Sequence, residues 1–373
     1  MKLAIDASNI RTGGGLTHLI EILNNGNANQ YGIEKVIVWS NNNTLSKLPD
    51  KDWLIKKTHP WLNKSAFTSF IFQIVLLSKY LKKDKTDLLF VPGGTYLGKF
   101  KNVVVMSQNM LPFEIEERNR FPNWQKRFRF KVLNITQAHT FKKAKGLLFL
   151  TEYAQKEIQK QLSLNNKQQI ISHGINFNFV QEPKTQKRIE EFSFDKPFKL
   201  LYVSIVTAYK HQWNVAKAVL KLRNEGIPIV LQLVGPSTTE SLEKLNEVLQ
   251  KDKFKCIEYR GIVPYEVLST VYKNADGFIF ASSCENQPII LIEAMTAGLP
   301  IACSDMGPMP EVLQESGFYF NPLNVDSIYN TLKYFLNNHH IRQSKSKIAF
   351  DKALEYTWKD CADNTFKFLS NFK

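Results

Sequence analysis

The sequence predicts an α/β protein of two doubly wound domains facing a central cleft, and three observations carry that expectation. Short runs rich in Val, Ile and Leu alternate with longer stretches of helical periodicity, the rhythm of a parallel sheet flanked by helices. The rhythm lapses once, in the charged stretch QEPKTQKRIEEFSFDKPFK between Val180 and Leu200, and then restarts. A chain of 373 residues with 43% hydrophobic content has the length for two such cores.

In the first half the expected strands are KLAIDAS, KVIVWS, DLLFVP, VVVMS and GLLFLT, with helices over residues 16–25 and 66–83. The second half offers KLLYVSI, IVLQLVG, KCIEYRG, GFIFAS and PIACSD, again interleaved with helices. The domains are therefore residues 1–180 and 198–354, with a C-terminal helix near 355–373 expected to pack back on the first. Ligands of doubly wound sheets sit at the carboxyl ends of the strands, so two facing sheets can hold one reactant each.

Composition excludes several classes. The opening MKLAIDASNI reads as a strand rather than an export signal, so a cytoplasmic protein is expected. The longest apolar run, from Ala66 to Leu81, is interrupted by Thr68, Ser69, Gln73, Ser78 and Lys79 and is no membrane span. Cys256, Cys284, Cys303 and Cys361 form no close pair and have no histidine at ligand spacing in sequence, which argues against a disulfide framework or a zinc site.

The net charge of +15 is lopsided, with +14 in residues 1–180 and +1 in the remainder. Its densest part is RNRFPNWQKRFRFK, Arg118 to Lys131, where cations alternate with Phe121, Trp124, Phe128 and Phe130. Such a stripe suits an anionic membrane surface, each cation adding about 1 kcal/mol. The same composition suits nucleic acid, or a solvated helix whose aromatic rings face the core.

The most informative stretch is CENQPIILIEAMTAGLP, Cys284 to Pro300, which sets two glutamates eight positions apart in an apolar segment. Strand GFIFASS leads into the turn, Pro288 stands where a helix should begin, and Gly298 with Pro300 should end it. That helix is apolar on every side, so Glu293 within it needs a hydrogen-bond donor or a cation. Glu285 lies just before a helix N-terminus, whose free N–H groups attract phosphate. A sugar nucleotide meets both demands: its diphosphate suits the amides and its hydroxyls suit the glutamates. The bland alternatives are a salt bridge at Glu293 and an ordinary N-terminal carboxylate at Glu285.

Glu285, seven residues, Glu293 and the continuation EAMTAGLPIACSDMGPMPEVL resemble the signature of retaining glycosyltransferases of family 4, which have the GT-B fold of two Rossmann-like domains. The likeness extends over most of the chain. It includes RTGGG after the first strand, YVSIVTAYK, LVG at Leu233–Gly235, YRGIVPYEVLSTVYKNADGFIFAS and GFYFNPLNVDSI. The resemblance implies that Glu285 contacts the transferred sugar, that Glu293 holds the ribose hydroxyls, and that Lys210 neutralises the departing diphosphate. Gly14, Gly15, Ser204, Gly235, Ile262, Asn286, Gln287, Ile289 and Ile290 are implied to line the donor site with them. Arg11, Gln108 and Asn109 are assigned to the acceptor side, Asn109 as an orienting catalytic residue.

The chain departs from the family at three places. Ser204-Ile205 stands where Gly-Arg is usual, so one phosphate-binding cation is missing and Arg11, His211 or Arg260 must replace it. Asn286-Gln287-Pro288 replaces Gly-Phe-Gly, and Gln108-Asn109 replaces His-Asp, neither of which can act as a base near neutral pH. Transfer survives the last change, because the resemblance implies front-face attack in which the leaving phosphate takes the acceptor's proton. His173 is expected to close the first domain as a loop residue. No Asp-x-Asp pair suited to a metal is evident, so no catalytic divalent ion and no cofactor beyond the nucleotide-sugar co-substrate is expected.

The expectation is a hexosyltransferase using a UDP- or GDP-linked sugar and a glycan acceptor, lipid-linked, in synthesis of lipopolysaccharide O-antigen, capsule or exopolysaccharide. It is expected at the inner face of the plasma membrane as a peripheral protein, with no nucleic-acid partner. The alternatives are a non-catalytic nucleotide-sugar-binding protein and a GT-B epimerase or phosphorylase.

Overall fold

The computed structural model describes residues 1–372. The chain divides into two compact units. The first comprises Met1–Phe113, Gln125–Gly174 and the segment from Tyr356 onward; the second comprises Glu114–Trp124 and Ile175–Glu355.

The first unit is built on a seven-stranded parallel sheet: β1 (Lys2–Asp6), β2 (Lys35–Trp39), β3 (Leu54–Lys57), β4 (Leu88–Val91), β5 (Val103–Met106), β6 (Gly146–Phe149) and β7 (Lys167–Ile170), in the order β3-β2-β1-β4-β5-β6-β7. The second unit has six parallel strands: β8 (Phe198–Val203), β9 (Ile229–Val234), β10 (Ile257–Tyr259), β11 (Gly277–Phe280), β12 (Ile301–Ser304) and β13 (Gly317–Phe320), in the order β10-β9-β8-β11-β12-β13. Both are α/β sheets wound outward in two directions from a central pair, β1/β4 and β8/β11. Strands β4, β5 and β11 are buried end to end, as parallel strands covered on both faces must be, so they read as unbroken apolar runs.

All ten strands expected from sequence are present. Three more appear at the sheet margins: β3 (LIKK), β7 (KQQI) and β13 (GFYF). β3 and β7 are edge strands with one hydrogen-bonded neighbour and are partly wetted, so their sequences are mixed and their signal weak, whereas β13 is apolar and largely buried. The helical stretch over 66–83 is continuous but carries a π-helical turn at Gln73–Leu77. There the buried Gln73 amide donates to Asp6 Oδ2 at 2.5 Å and to Thr95 O at 3.0 Å.

The charged stretch after residue 180 lies wholly within the second unit, in its segment Ile175–Glu355. The C-terminal helix Trp358–Ser370 belongs to the first unit, where Phe366 meets Trp53 edge-on at 5.9 Å. Gly174 permits this, since a Cβ there would stand 2.1 Å from Trp358 N. The stretch Glu114–Trp124, inside the sequence of the first half, groups with the second unit, and nothing in the composition foretold it.

Candidate functional site

In the second unit the topological switch point falls between β8 and β11, which pair directly. The loop after β8 carries Lys210 and the turn after β11 carries Glu285. Their side chains form an ion pair across that switch point, the crevice where open α/β sheets bind ligands. Lys210 is 4% exposed, its ammonium lying 4.7 Å from the Phe280 ring centroid and 5.2 Å from that of Tyr209. The loop is held by Tyr202, whose hydroxyl donates to Lys210 O at 2.5 Å and accepts Ala281 N–H at 3.2 Å. His211 follows in the left-handed region with φ 51°. Its Nε2 lies 2.9 Å from Ser283 Oγ, and burial, with Arg120 and Lys244 nearby, pushes the imidazole down to about 3, so the ring is neutral.

The helix after the turn runs Ile289–Thr296, with Pro288 at its N-cap rather than its first turn and Gly298 past its end at φ +64°. Leu291 and Ile292 N–H both return to Pro288 O, and the N–H groups of Ile289 and Ile290 stand at the helix start. Asn286 and Gln287 are buried in the turn beside them.

Glu293 is 6% exposed and receives the Tyr272 hydroxyl at 3.1 Å. Among the described residues no cation pairs with it, so the salt-bridge reading of this carboxylate fails. Burial raises its pKa to about 7, against the smaller lowering effect of the Tyr272 hydrogen bond.

Gly235 closes β9 at φ +137°, and a Cβ there would lie 2.2 Å from Ser204 O. The backbone of β8 and β9 can meet at this point only through glycine. Ser204 is buried with its hydroxyl unpartnered, while Ile262 is 75% exposed and lines no packed wall in this structure.

The candidates from the first half lie in the first unit. Gly13, at φ +71°, opens helix Gly14–Asn25, and a Cβ on Gly15 would stand 2.8 Å from Gln108 Oε1. Gly15 and Gln108 are thus brought together. Asn109 Oδ1 accepts Leu111 N–H at 3.1 Å, an Asx turn that fixes its side chain. Arg11 gives Nη2 to Leu62 O at 3.2 Å and Ser69 Oγ at 3.0 Å, which makes it a tie within this unit. His173 is buried, its Nδ1 3.1 Å from His18 Nδ1, and both rings are neutral because burial lowers them. Cys361 completes a cluster with these two histidines that sequence spacing hid.

Residues 183–351 match the family described as Glycosyl transferases group 1. A curated relative, the O-antigen chain mannosyltransferase B of Escherichia coli, is 30% identical over 109 residues, which is 29% of this chain and 29% of that protein. The chain's matches span less than a third of the first curated relatives' lengths. Among solved structures, a sucrose-phosphate synthase from Thermosynechococcus elongatus superposes with TM-score 0.73 at 16% identity, over 97% of this chain and 96% of the other. The Anabaena protein HepE in complex with UDP gives TM-score 0.69 at 15% identity, over 99% of each chain. The fold is GT-B. In this GT-B chain the matched family region coincides with the unit that holds Lys210, Glu285 and Glu293.

The sequence reading missed Glu117, Arg120, Ser283 and Tyr272. Glu117 Oε2 takes the Ser283 hydroxyl at 2.5 Å and Arg120 Nε at 2.9 Å, and Glu117 is 2% exposed. The signal available was EIEER, an acidic cluster directly before the most basic stretch of the chain.

Proposed function

We propose that the chain is a retaining glycosyltransferase of family 4 that moves a hexose from a UDP- or GDP-linked donor to a glycan acceptor. The carrying observation is the Lys210–Glu285 pair across the switch point, with Glu293 buried and unpaired by any cation eight residues further on. The diphosphate suits the amides of Ile289 and Ile290 and the Lys210 ammonium, while the ribose hydroxyls give Glu293 donors beyond the Tyr272 hydroxyl. Support comes from the family match over residues 183–351 and from a structural relative that binds UDP.

In the proposed step the bond from the sugar's anomeric carbon to the diphosphate oxygen breaks, and the acceptor oxygen bonds to the same face of that carbon. The acceptor's proton passes to the departing phosphate, so no protein base is required. Negative charge grows on the diphosphate as the bond breaks, and a fixed ammonium stabilises that state more than the ground state. Gln108 and Asn109 orient hydroxyls on the acceptor side.

The acceptor is a lipid-linked glycan of surface-polysaccharide synthesis, met at an anionic membrane face. Helix Trp124–Lys143 supports this: Trp124 is 66%, Phe128 59% and Ile135 59% exposed, flanked by Arg127, Arg129 and Lys131. The reading in which the stripe's aromatics all face the core fails for Trp124 and Phe128. No helix among the described residues is long and apolar enough to cross a membrane.

The test is incubation with a panel of nucleotide sugars and glycan acceptors, followed by anomeric analysis of the product. Nucleotide release that depends on Glu285, with retained configuration, supports the proposal; inactivity toward every donor, or an inverted product, contradicts it.

A further inference from the structure

A donor diphosphate brings at least two negative charges to the Lys210–Glu285 turn, and Lys210 brings one positive charge already shared with Glu285. The cations singled out in the sequence do not make up the difference. Arg11 is a tie within the first unit, His211 is neutral, and Arg260 pairs at 3.1 Å with Glu258 on the exposed surface. The segment Glu114–Trp124 brings another. His211, directly after Lys210, is hydrogen-bonded to Ser283, two residues before Glu285, and the Ser283 hydroxyl and Arg120 Nε both donate to Glu117 Oε2. The Arg120 guanidinium is thus tied by one carboxylate to the turn that bears Glu285 and, through His211, to the loop that bears Lys210. Its side chain is 29% exposed while that of Glu117 is 3%, so a ligand can reach the cation and not the anion that holds it. Glu117 Oε1 is buried with no hydrogen-bond partner among the described residues, so the carboxylate is committed to this network by a single oxygen.

Burying a carboxylate is costly unless it is well paired. Here it orients a planar guanidinium through Nε, and an oriented fork has less rotamer freedom left to lose when it meets a phosphate. On the reading of this site as one for a nucleoside-diphosphate sugar, we propose that Arg120 is its second phosphate-binding cation, delivered by the Glu114–Trp124 segment and positioned by Glu117. Lys244, exposed and 5.3 Å from the Trp213 ring centroid, is the competing cation, and experiment separates the two.

The experiment is titration calorimetry of the full chain with UDP, GDP, uridine and guanosine. The variants are Arg120→Gln, which keeps a donor for Glu117 without the charge, Arg120→Lys, which keeps the charge without the fork, and Lys244→Ala. Loss of a charge-assisted contact predicts a roughly 10- to 100-fold loss of diphosphate affinity in R120Q, with nucleoside affinity unchanged. R120K recovers part of the loss and K244A stays within about threefold of the unaltered chain. The proposal alone is overturned if R120Q binds diphosphate normally, if it loses nucleoside and diphosphate alike, or if K244A carries the loss. If the unaltered chain binds no nucleoside diphosphate, the donor-site reading falls and the proposal with it.

Discussion

Replacing Glu293 by Gln should make the ligand-free protein more stable and a poorer binder, and the gain should depend on pH. The carboxyl sits in the apolar helix Ile289–Thr296 with its pKa raised by burial from 4.5 to about 7. Between those values the folded chain binds more protons than the unfolded one, so stability falls as pH rises through that window. Below about pH 4.5 the burial penalty is absent; above about pH 7 it is complete. At 1.36 kcal/mol per pKa unit, the full penalty is about 3 kcal/mol. Gln keeps an oxygen for the Tyr272 hydroxyl and carries no charge, so E293Q should gain about that amount at pH 8 and almost nothing at pH 4.5. Urea unfolding of both proteins across that range reads the difference. A gap that does not change with pH, or a variant less stable at pH 8, refutes the reasoning. In the same variant the loss of a charged acceptor for ribose hydroxyls should weaken nucleoside diphosphate binding by roughly 10-fold or more.

Lys210→Ala leaves Glu285, whose side chain is 16% exposed, with no counter-charge, so a stability loss of about 3 kcal/mol in chemical denaturation is expected. Turnover should drop by roughly 100-fold or more; unchanged activity in a folded K210A would remove Lys210 from the reaction. Gly235→Ala places a methyl 2.2 Å from Ser204 O in a backbone conformation side chains resist, and thermal melting should fall by several degrees. An unaltered melting curve would mean that the two loops are free to separate. Sedimentation with anionic vesicles should be weakened by salt and by a Trp124→Ser/Phe128→Ser pair, whereas binding insensitive to both would place the membrane contact elsewhere.

Much of the architecture was legible because buried parallel strands write themselves as continuous apolar runs: β4, β5, β6 and β11 are examples. β7, reading KQQI at a half-wetted edge, has no such pattern. In the site, Glu285 and Glu293 stood out because two carboxylates are rare in so apolar a segment, one in its turn and one in its helix. The partner of Glu293 did not, since Tyr272 lies in another helix and their pairing is a product of packing. The same holds for Glu117, whose link to Ser283 joins residues 166 positions apart. The structure splits the basic stripe. Phe121 is buried in the second unit near Tyr209, at 6.2 Å between ring centroids, while Trp124 and Phe128 face solvent.

The most direct test is a crystal structure of the chain with UDP or GDP bound. The account predicts ribose hydroxyls on the Glu293 carboxylate, with the diphosphate at the amides of Ile289 and Ile290 and within reach of Lys210 Nζ. Nucleotide density lodged anywhere else, with Glu293 still engaged by Tyr272 alone, would contradict it.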